Sequence, residues 1–129
     1  MKLITERDFD KEVFQSKLPV FACFVTHWCH SCYPTCLFAD ELEKAYQDKV
    51  KFVRVDVGEI PHIAAGYRIV AVPTILIFKN SQPVKTLLGL QETRSLRRLL
   101  ESVIEKDEIT QPGELGGLQR LEVETRNLK

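Results

Sequence analysis

The sequence has no cysteine outside residues 23–36, no excess of either charge and no apolar run long enough to cross a membrane. Eighteen basic side chains balance eighteen acidic ones, which argues against a general binder of nucleic acid or of anionic membranes. The first eight residues carry charges where a signal peptide needs an apolar core. We therefore expect a cytoplasmic protein without nucleic-acid or membrane partners.

Four cysteines, Cys23, Cys29, Cys32 and Cys36, all lie in one segment. A secreted domain stapled by disulfides would spread its cysteines along the chain. Clustering in a single segment instead indicates redox catalysis or metal binding.

The order of the predicted elements is typical of an α/β domain. Thr5 followed by Asp8 resembles a helix start. Continuous apolar runs at 20–25 and 75–78 are typical of buried strands, and the apolar-rich segment 50–57 also predicts a strand. Asn80-Ser81 predicts a hairpin turn before a strand at 84–88. Two helical patterns cover residues 31–47 and the region around 96–104; the first places on one face Cys32, Cys36, Leu42, Ala45 and Tyr46.

These elements alternate as strand, helix, strand, helix, strand, helix, hairpin and helix. That order predicts a mixed central sheet of four to five strands, flanked by helices on both faces. We place this domain at residues 1–106. Residues 107–129 would form a C-terminal extension, either a short helix or a mobile tail.

The Cys29-His30-Ser31-Cys32 tetrad lies between a buried strand and a helix. A helix N-terminus stabilises a thiolate, which is the form of cysteine that attacks disulfides. Cys29 would be the nucleophile, and Cys32 would displace the resulting mixed disulfide. The rival interpretation is a metal site formed by Cys29, Cys32 and Cys36 with His27 or His30. Structural zinc sites usually use two separated ligand pairs, which favours the redox interpretation.

The segment Trp28-Cys29-His30-Ser31-Cys32 resembles the Trp-Cys-x-x-Cys motif of the thioredoxin family, and Val72-Pro73-Thr74 is similar to that family's cis-proline segment. Gly89 and the order of elements match as well, so the resemblance covers residues 1–106. It implies a thioredoxin fold and a protein-disulfide reductase that exchanges its dithiol with protein substrates. It also implies a thioredoxin-reductase-type electron donor and no cofactor beyond the Cys29–Cys32 disulfide. We expect a monomer.

The resemblance also gives roles to residues around the cysteines. Pro73 would form a cis bond beside the disulfide and leave the Val72 backbone free to pair with an extended substrate. Trp28 would shield the rim of the site, where His27 would also lie, and Gly89 would belong to the substrate-binding surface. His62 would be a surface residue.

The chain departs from the family pattern between the cysteines, where His30-Ser31 replaces Gly-Pro. A cationic His30 beside the Cys29 thiolate would stabilise the reduced form. We therefore expect a potential between about −270 mV for thioredoxin and about −120 mV for the family's strongest oxidant. A fully solvated His30 would have little effect.

A second departure lies beneath the active site. The family often buries an acid under the second cysteine, and that position is Cys23 here. The lysine that often accompanies the acid aligns near Phe52, so both charged partners are expected to be replaced by apolar residues. Resolution by Cys32 would then be slow, or its proton would leave through water or a histidine.

The sequence leaves two questions open. Cys36, one helical turn after Cys32, is either a small core residue or an auxiliary thiol that exchanges with Cys32. The whole chain is either an enzyme or a thioredoxin-like binding module with slow or specialised cysteines.

Overall fold

The apolar run Val20–Val25 forms the central strand of a five-stranded sheet in a computed structural model of the chain. The structure describes residues 1–89 and 91–109, with the side chains of residues 1–89 and 91–104. The strands are β1 (Lys2–Ile4), β2 (Val20–Val25), β3 (Lys51–Asp56), β4 (Thr74–Lys79) and β5 (Gln82–Leu88). Their order across the sheet is β1-β3-β2-β4-β5.

The sheet is mixed, as the sequence predicts. β1 and β2 both run parallel to β3, whereas β4 is antiparallel to β2 and to β5. Asn80 and Ser81 join β4 to β5 with positive φ at both residues, 53° and 70°. That backbone geometry suits a two-residue hairpin turn, so the predicted turn is confirmed.

Helices cover both faces of the sheet. They are α1 (Glu6–Phe9), continued by a π-helical segment at Asp10–Phe14, then α2 (Cys32–Tyr46), α3 (Pro61–Gly66) and α4 (Thr93–Ile109). The α1 start has the predicted capping box between Thr5 and Asp8. Among the described helices, none is long and apolar enough to cross a membrane.

Two apolar clusters hold the helices to the sheet. One joins α2 and α4 to alternate residues of the central strands, including Phe21, Cys23 and Ile75. The other joins the N-terminal helical segment and α3 to the opposite face, around Phe9 and Phe24. This alternation follows from the period of two along a strand.

The structure differs from the sequence-based expectation at Ala45 and at the C-terminal end of α4. Ala45 is exposed rather than part of the buried face of α2. α4 continues to Ile109, past the expected domain boundary at 106, and residues 110–129 of the predicted extension lie outside the described residues.

Candidate active site

The junction between β2 and α2 brings the first two candidate cysteines together. Cys29 and Cys32 form a disulfide, with their Cα atoms 5.3 Å apart. Cys29 is half-buried, whereas Cys32, the first residue of α2, is only 3% exposed. An incoming disulfide can therefore reach Cys29 far more easily than Cys32.

The start of α2 directs a backbone N–H at the Cys29 sulfur. The backbone N–H of Cys32 lies 3.1 Å from Cys29 Sγ and donates to it. The Ser31 hydroxyl contacts the same sulfur at 3.6 Å. Both contacts, together with the helix dipole, would stabilise a Cys29 thiolate once the disulfide is reduced.

The segment before β4 carries the second group of predicted site residues. The Val72–Pro73 peptide bond is cis, and Pro73 is buried while Val72 is half-buried. The Pro73 carbonyl accepts a hydrogen bond from the Gly89 N–H at 2.8 Å. Gly89 has a φ of 81°, a region that glycine enters without the steric cost of a Cβ.

Exposed rings surround the disulfide. Trp28 is 68% exposed and meets the His27 ring edge-on, with the ring centroids 4.7 Å apart. His30 is exposed. His62 is also exposed, and it does not line the cavity beside the disulfide. Sequence reasoning missed Tyr33, which is 70% exposed and directly follows the second cysteine. Its position next to the motif could have identified it.

A cavity of about 310 Å³ opens beside the disulfide. Its wall combines apolar, polar and charged side chains. They come from β1, β2, β3, α2 and the connection between β2 and α2. The lining residues are Leu3, Val25, Thr26, His27, Cys29, Cys32, Tyr33, Cys36, Arg54 and Asp56. Asp56 pairs with the exposed His27 at 3.6 Å. The buried Thr26 hydroxyl has no hydrogen-bond partner among the residues that the structure describes. A polar cavity of this size can admit water.

The expectation that no charged residue lies beneath the site is wrong, as the pairing of β2 with β3 shows. Cys23 on β2 is paired with Arg54 on β3, not with Phe52. Phe52 is buried and instead pairs with Phe21, ring against ring at 4.8 Å. A charged residue between the buried Val53 and Val55 was the signal that sequence reasoning passed over.

Cys23 and Cys36 are in contact beneath the cavity. Their thiols are within hydrogen-bonding reach of each other, Cys23 fully buried and Cys36 half-buried. The hydrogen bond from Cys23 lowers the pKa of Cys36 to about 7, and the Arg54 charge acts in the same direction against burial. The same bond and burial hold the pKa of Cys23 well above its usual value. Cys36 is thus the more acidic thiol of the pair.

The rival metal site finds no support in the described part of the chain. No group of three or more histidine, cysteine or acidic side chains there is placed to hold a metal ion. Two of the suggested ligands, Cys29 and Cys32, are bonded to each other.

Comparisons with known proteins agree with this geometry. A family model described as thioredoxin matches residues 1–102. The thioredoxin of Rickettsia felis is 39% identical over 93 residues, covering 72% of this chain and 89% of that protein. Thioredoxin 1 of Synechococcus elongatus is 36% identical over 98 residues, covering 76% of this chain and 92% of its own length. Thioredoxin 1 of Nostoc sp. is 35% identical over 98 residues, with the same coverage.

Fold, site and relatives lead to one assignment. The mixed sheet with helices on both faces is the thioredoxin fold, and the Cys29–Cys32 disulfide fits the redox-active disulfide that thioredoxins use. The chain belongs to the thioredoxin family and is a thiol–disulfide oxidoreductase that acts on protein disulfides.

Proposed function

We propose that the chain is a protein-disulfide reductase in which Cys29 attacks the substrate and Cys32 releases it. The observation that carries this assignment is the difference between the two sulfurs. Cys29 is partly exposed and accepts a backbone N–H, whereas Cys32 is 3% exposed behind it. The exposed sulfur is the one that a protein disulfide can reach, and the buried one is held within bonding distance of it.

The reaction would proceed in two exchanges. The Cys29 thiolate attacks one sulfur of the substrate disulfide, forming a mixed disulfide and releasing the other substrate thiolate. Cys32 then loses its proton and attacks Cys29 Sγ, so the second substrate thiolate leaves and the Cys29–Cys32 disulfide forms. Water admitted to the cavity by the Thr26 hydroxyl could carry the Cys32 proton to solvent.

Substrate would dock on the exposed rim around Cys29. Trp28 and Tyr33 offer aromatic surface, and Val72, which precedes the cis Pro73, would offer its backbone to an extended substrate segment. Gly89 completes this rim because it bonds to Pro73 without a side chain to obstruct the approach. A thioredoxin-reductase-type donor would return electrons to the disulfide, in the reducing cytoplasm, with the chain as a monomer.

The test is reduction of insulin disulfides by the full chain in the presence of dithiothreitol. Cys29→Ser should abolish the reaction, and Cys32→Ser should accumulate a mixed disulfide between Cys29 and insulin, visible by mass spectrometry. Ser95→Ala, at an exposed position of α4, is the matched control and should retain most of the activity. Wild-type protein that leaves insulin intact while still binding it would favour the binding-module alternative.

A further inference from the structure

Two thiols that take no part in disulfide exchange at Cys29 and Cys32 lie near the active-site disulfide. Cys23 projects from β2 and Cys36 from α2, and their thiols share a hydrogen bond. Both belong to, or pack against, the same apolar cluster as Cys32. Two thiols within hydrogen-bonding reach of each other are candidates for a disulfide.

The three sulfurs on and before α2 follow one another along the helix. Cys36 lies one turn after Cys32, so the two side chains share a face, while Cys29 precedes the helix. Cys36 is therefore a neighbour of Cys32 on the helix surface. All three residues line the same cavity. Exchange between them requires that the Cys36 thiolate reach the Cys32 sulfur.

We propose that Cys23 and Cys36 are a second redox-active pair, which reduces the Cys29–Cys32 disulfide from inside the same chain. This rests on thiol–disulfide exchange at Cys29 and Cys32, and it assigns a new function to two residues outside that motif.

The proposed relay balances without an external oxidant or reductant. The Cys36 thiolate attacks Cys32 Sγ, the Cys29–Cys32 bond breaks, and Cys29 leaves as a thiolate. Cys23 then loses its proton through the cavity to the Cys29 thiolate and attacks Cys36 Sγ. Cys32 leaves as a thiolate and takes up the proton that Cys36 had lost. Two electrons pass from the Cys23/Cys36 dithiol to the outer disulfide, and a Cys23–Cys36 disulfide remains.

The electrostatics of the pair favour the first step. Cys36 is the more acidic thiol because Cys23 donates a hydrogen bond to its sulfur and the Arg54 guanidinium adds positive charge. A thiolate with a pKa near ambient pH is the most effective attacking species in such exchanges. The chain would then hold four transferable electrons, enough to reduce two substrate disulfides before it returns to its donor.

The experiment oxidises fully reduced protein with excess oxidised glutathione, quenches it with acid, alkylates it in denaturant and maps the disulfide-linked peptides. Wild type should lose four free thiols and show both Cys29–Cys32 and Cys23–Cys36 links. Cys36→Ala should lose two. The double variant Cys29→Ser/Cys32→Ser should form the Cys23–Cys36 link at least about tenfold more slowly, because the internal route is gone.

Several results would overturn the relay. Wild type that keeps alkylatable thiols at residues 23 and 36, or that carries glutathione on Cys36, would refute the second pair. A double variant that forms the inner link at the wild-type rate would show direct oxidation instead. Loss of the outer link in wild type would count separately, against the proposed function at Cys29 and Cys32. The wild-type map decides the main question even if a variant folds poorly.

Discussion

Cys23 on β2 lies directly opposite Arg54 on β3 in the parallel register, so a cation is placed next to the buried Cys23–Cys36 contact. The Arg54 guanidinium favours the thiolate form of Cys36 over its protonated form. The chain thus retains a positive charge beneath its active site, where an apolar substitution was expected.

Removing that charge should raise the pKa of Cys36. Arg54→Met deletes the guanidinium while keeping much of the side-chain volume, and Arg54→Lys keeps a cation as the matched control. The measurement is thiolate ultraviolet absorbance against pH in the reduced Cys29→Ser/Cys32→Ser background, so that Cys23 and Cys36 are the titrating thiols. A titration midpoint unchanged in the Met variant would contradict the role of Arg54.

The stability of the reduced Cys29→Ser/Cys32→Ser protein, in which Cys23 and Cys36 keep their thiols, should depend on pH through Cys36. Its pKa is about 7 in the folded chain, against about 8.5 for a free thiol, so the folded state binds fewer protons between those values. The free energy of unfolding should therefore rise with pH across that window, and the gain should be lost as pH falls through 7. Because Cys36 is half-exposed, screening limits the gain to about 1 kcal/mol.

The charged surroundings of Cys36 define the control for this measurement. Cys23 faces it from β2, Arg54 from β3, and Asp40 and the N-terminal ammonium also act on it. Denaturant unfolding of Cys36→Ala over the same pH range should lack the rise. A parallel rise in both proteins would assign the effect to another group.

Introducing the family's buried acid should accelerate release of the substrate. Cys23→Asp would place a carboxylate opposite Arg54, where it could accept the proton of Cys32. Stopped-flow decay of a preformed mixed disulfide at Cys29 should be faster than in wild type, at a cost in stability because residue 23 is fully buried. The control is Cys23→Asn, because asparagine has nearly the same shape as aspartate but no charge. An equal acceleration in the Asn variant would refute proton transfer as the cause.

The histidine between the cysteines should make the couple more oxidising. We expect a wild-type potential between about −270 and −120 mV in a glutathione redox titration. His30→Gln removes the charge but keeps a polar side chain, so its potential should move toward the lower value. A wild-type potential at or below that of thioredoxin, or an unchanged potential in the Gln variant, would show that the exposed His30 has no such effect.

Truncation of a side chain in the core beneath the site should strongly lower the free energy of unfolding. Leu100 on α4 is fully buried in the cluster that includes α2, and Leu100→Ala should destabilise the protein by about 2–5 kcal/mol. Leu88→Ala removes the same atoms from a side chain that is 62% exposed and should change the free energy of unfolding by less than about 0.5 kcal/mol. Thermal or denaturant unfolding compares the two, and similar losses would contradict the packing.

The local features of this site could be predicted because they depend on neighbours in the chain. An apolar strand, a turn and a helix start around Cys29 and Cys32 require only short-range patterns. The hairpin at Asn80 and Ser81 was predicted on the same basis, and the backbone adopts it. The position of Arg54 was missed because it depends on the register of two strands whose paired residues, Cys23 and Arg54, are 31 positions apart in the chain.

The sequence by itself determined the alternation of strands and helices and the spacing that joins Cys29 to Cys32, since both follow from periodicity and a single helical turn. Only the tertiary structure decided which side chains meet beneath that disulfide. Packing of α2 on β2 brings Cys36 against Cys23, and pairing of β2 with β3 brings Arg54 beside them. Such contacts arise from the register and packing of separate elements, which no local pattern of residues specifies.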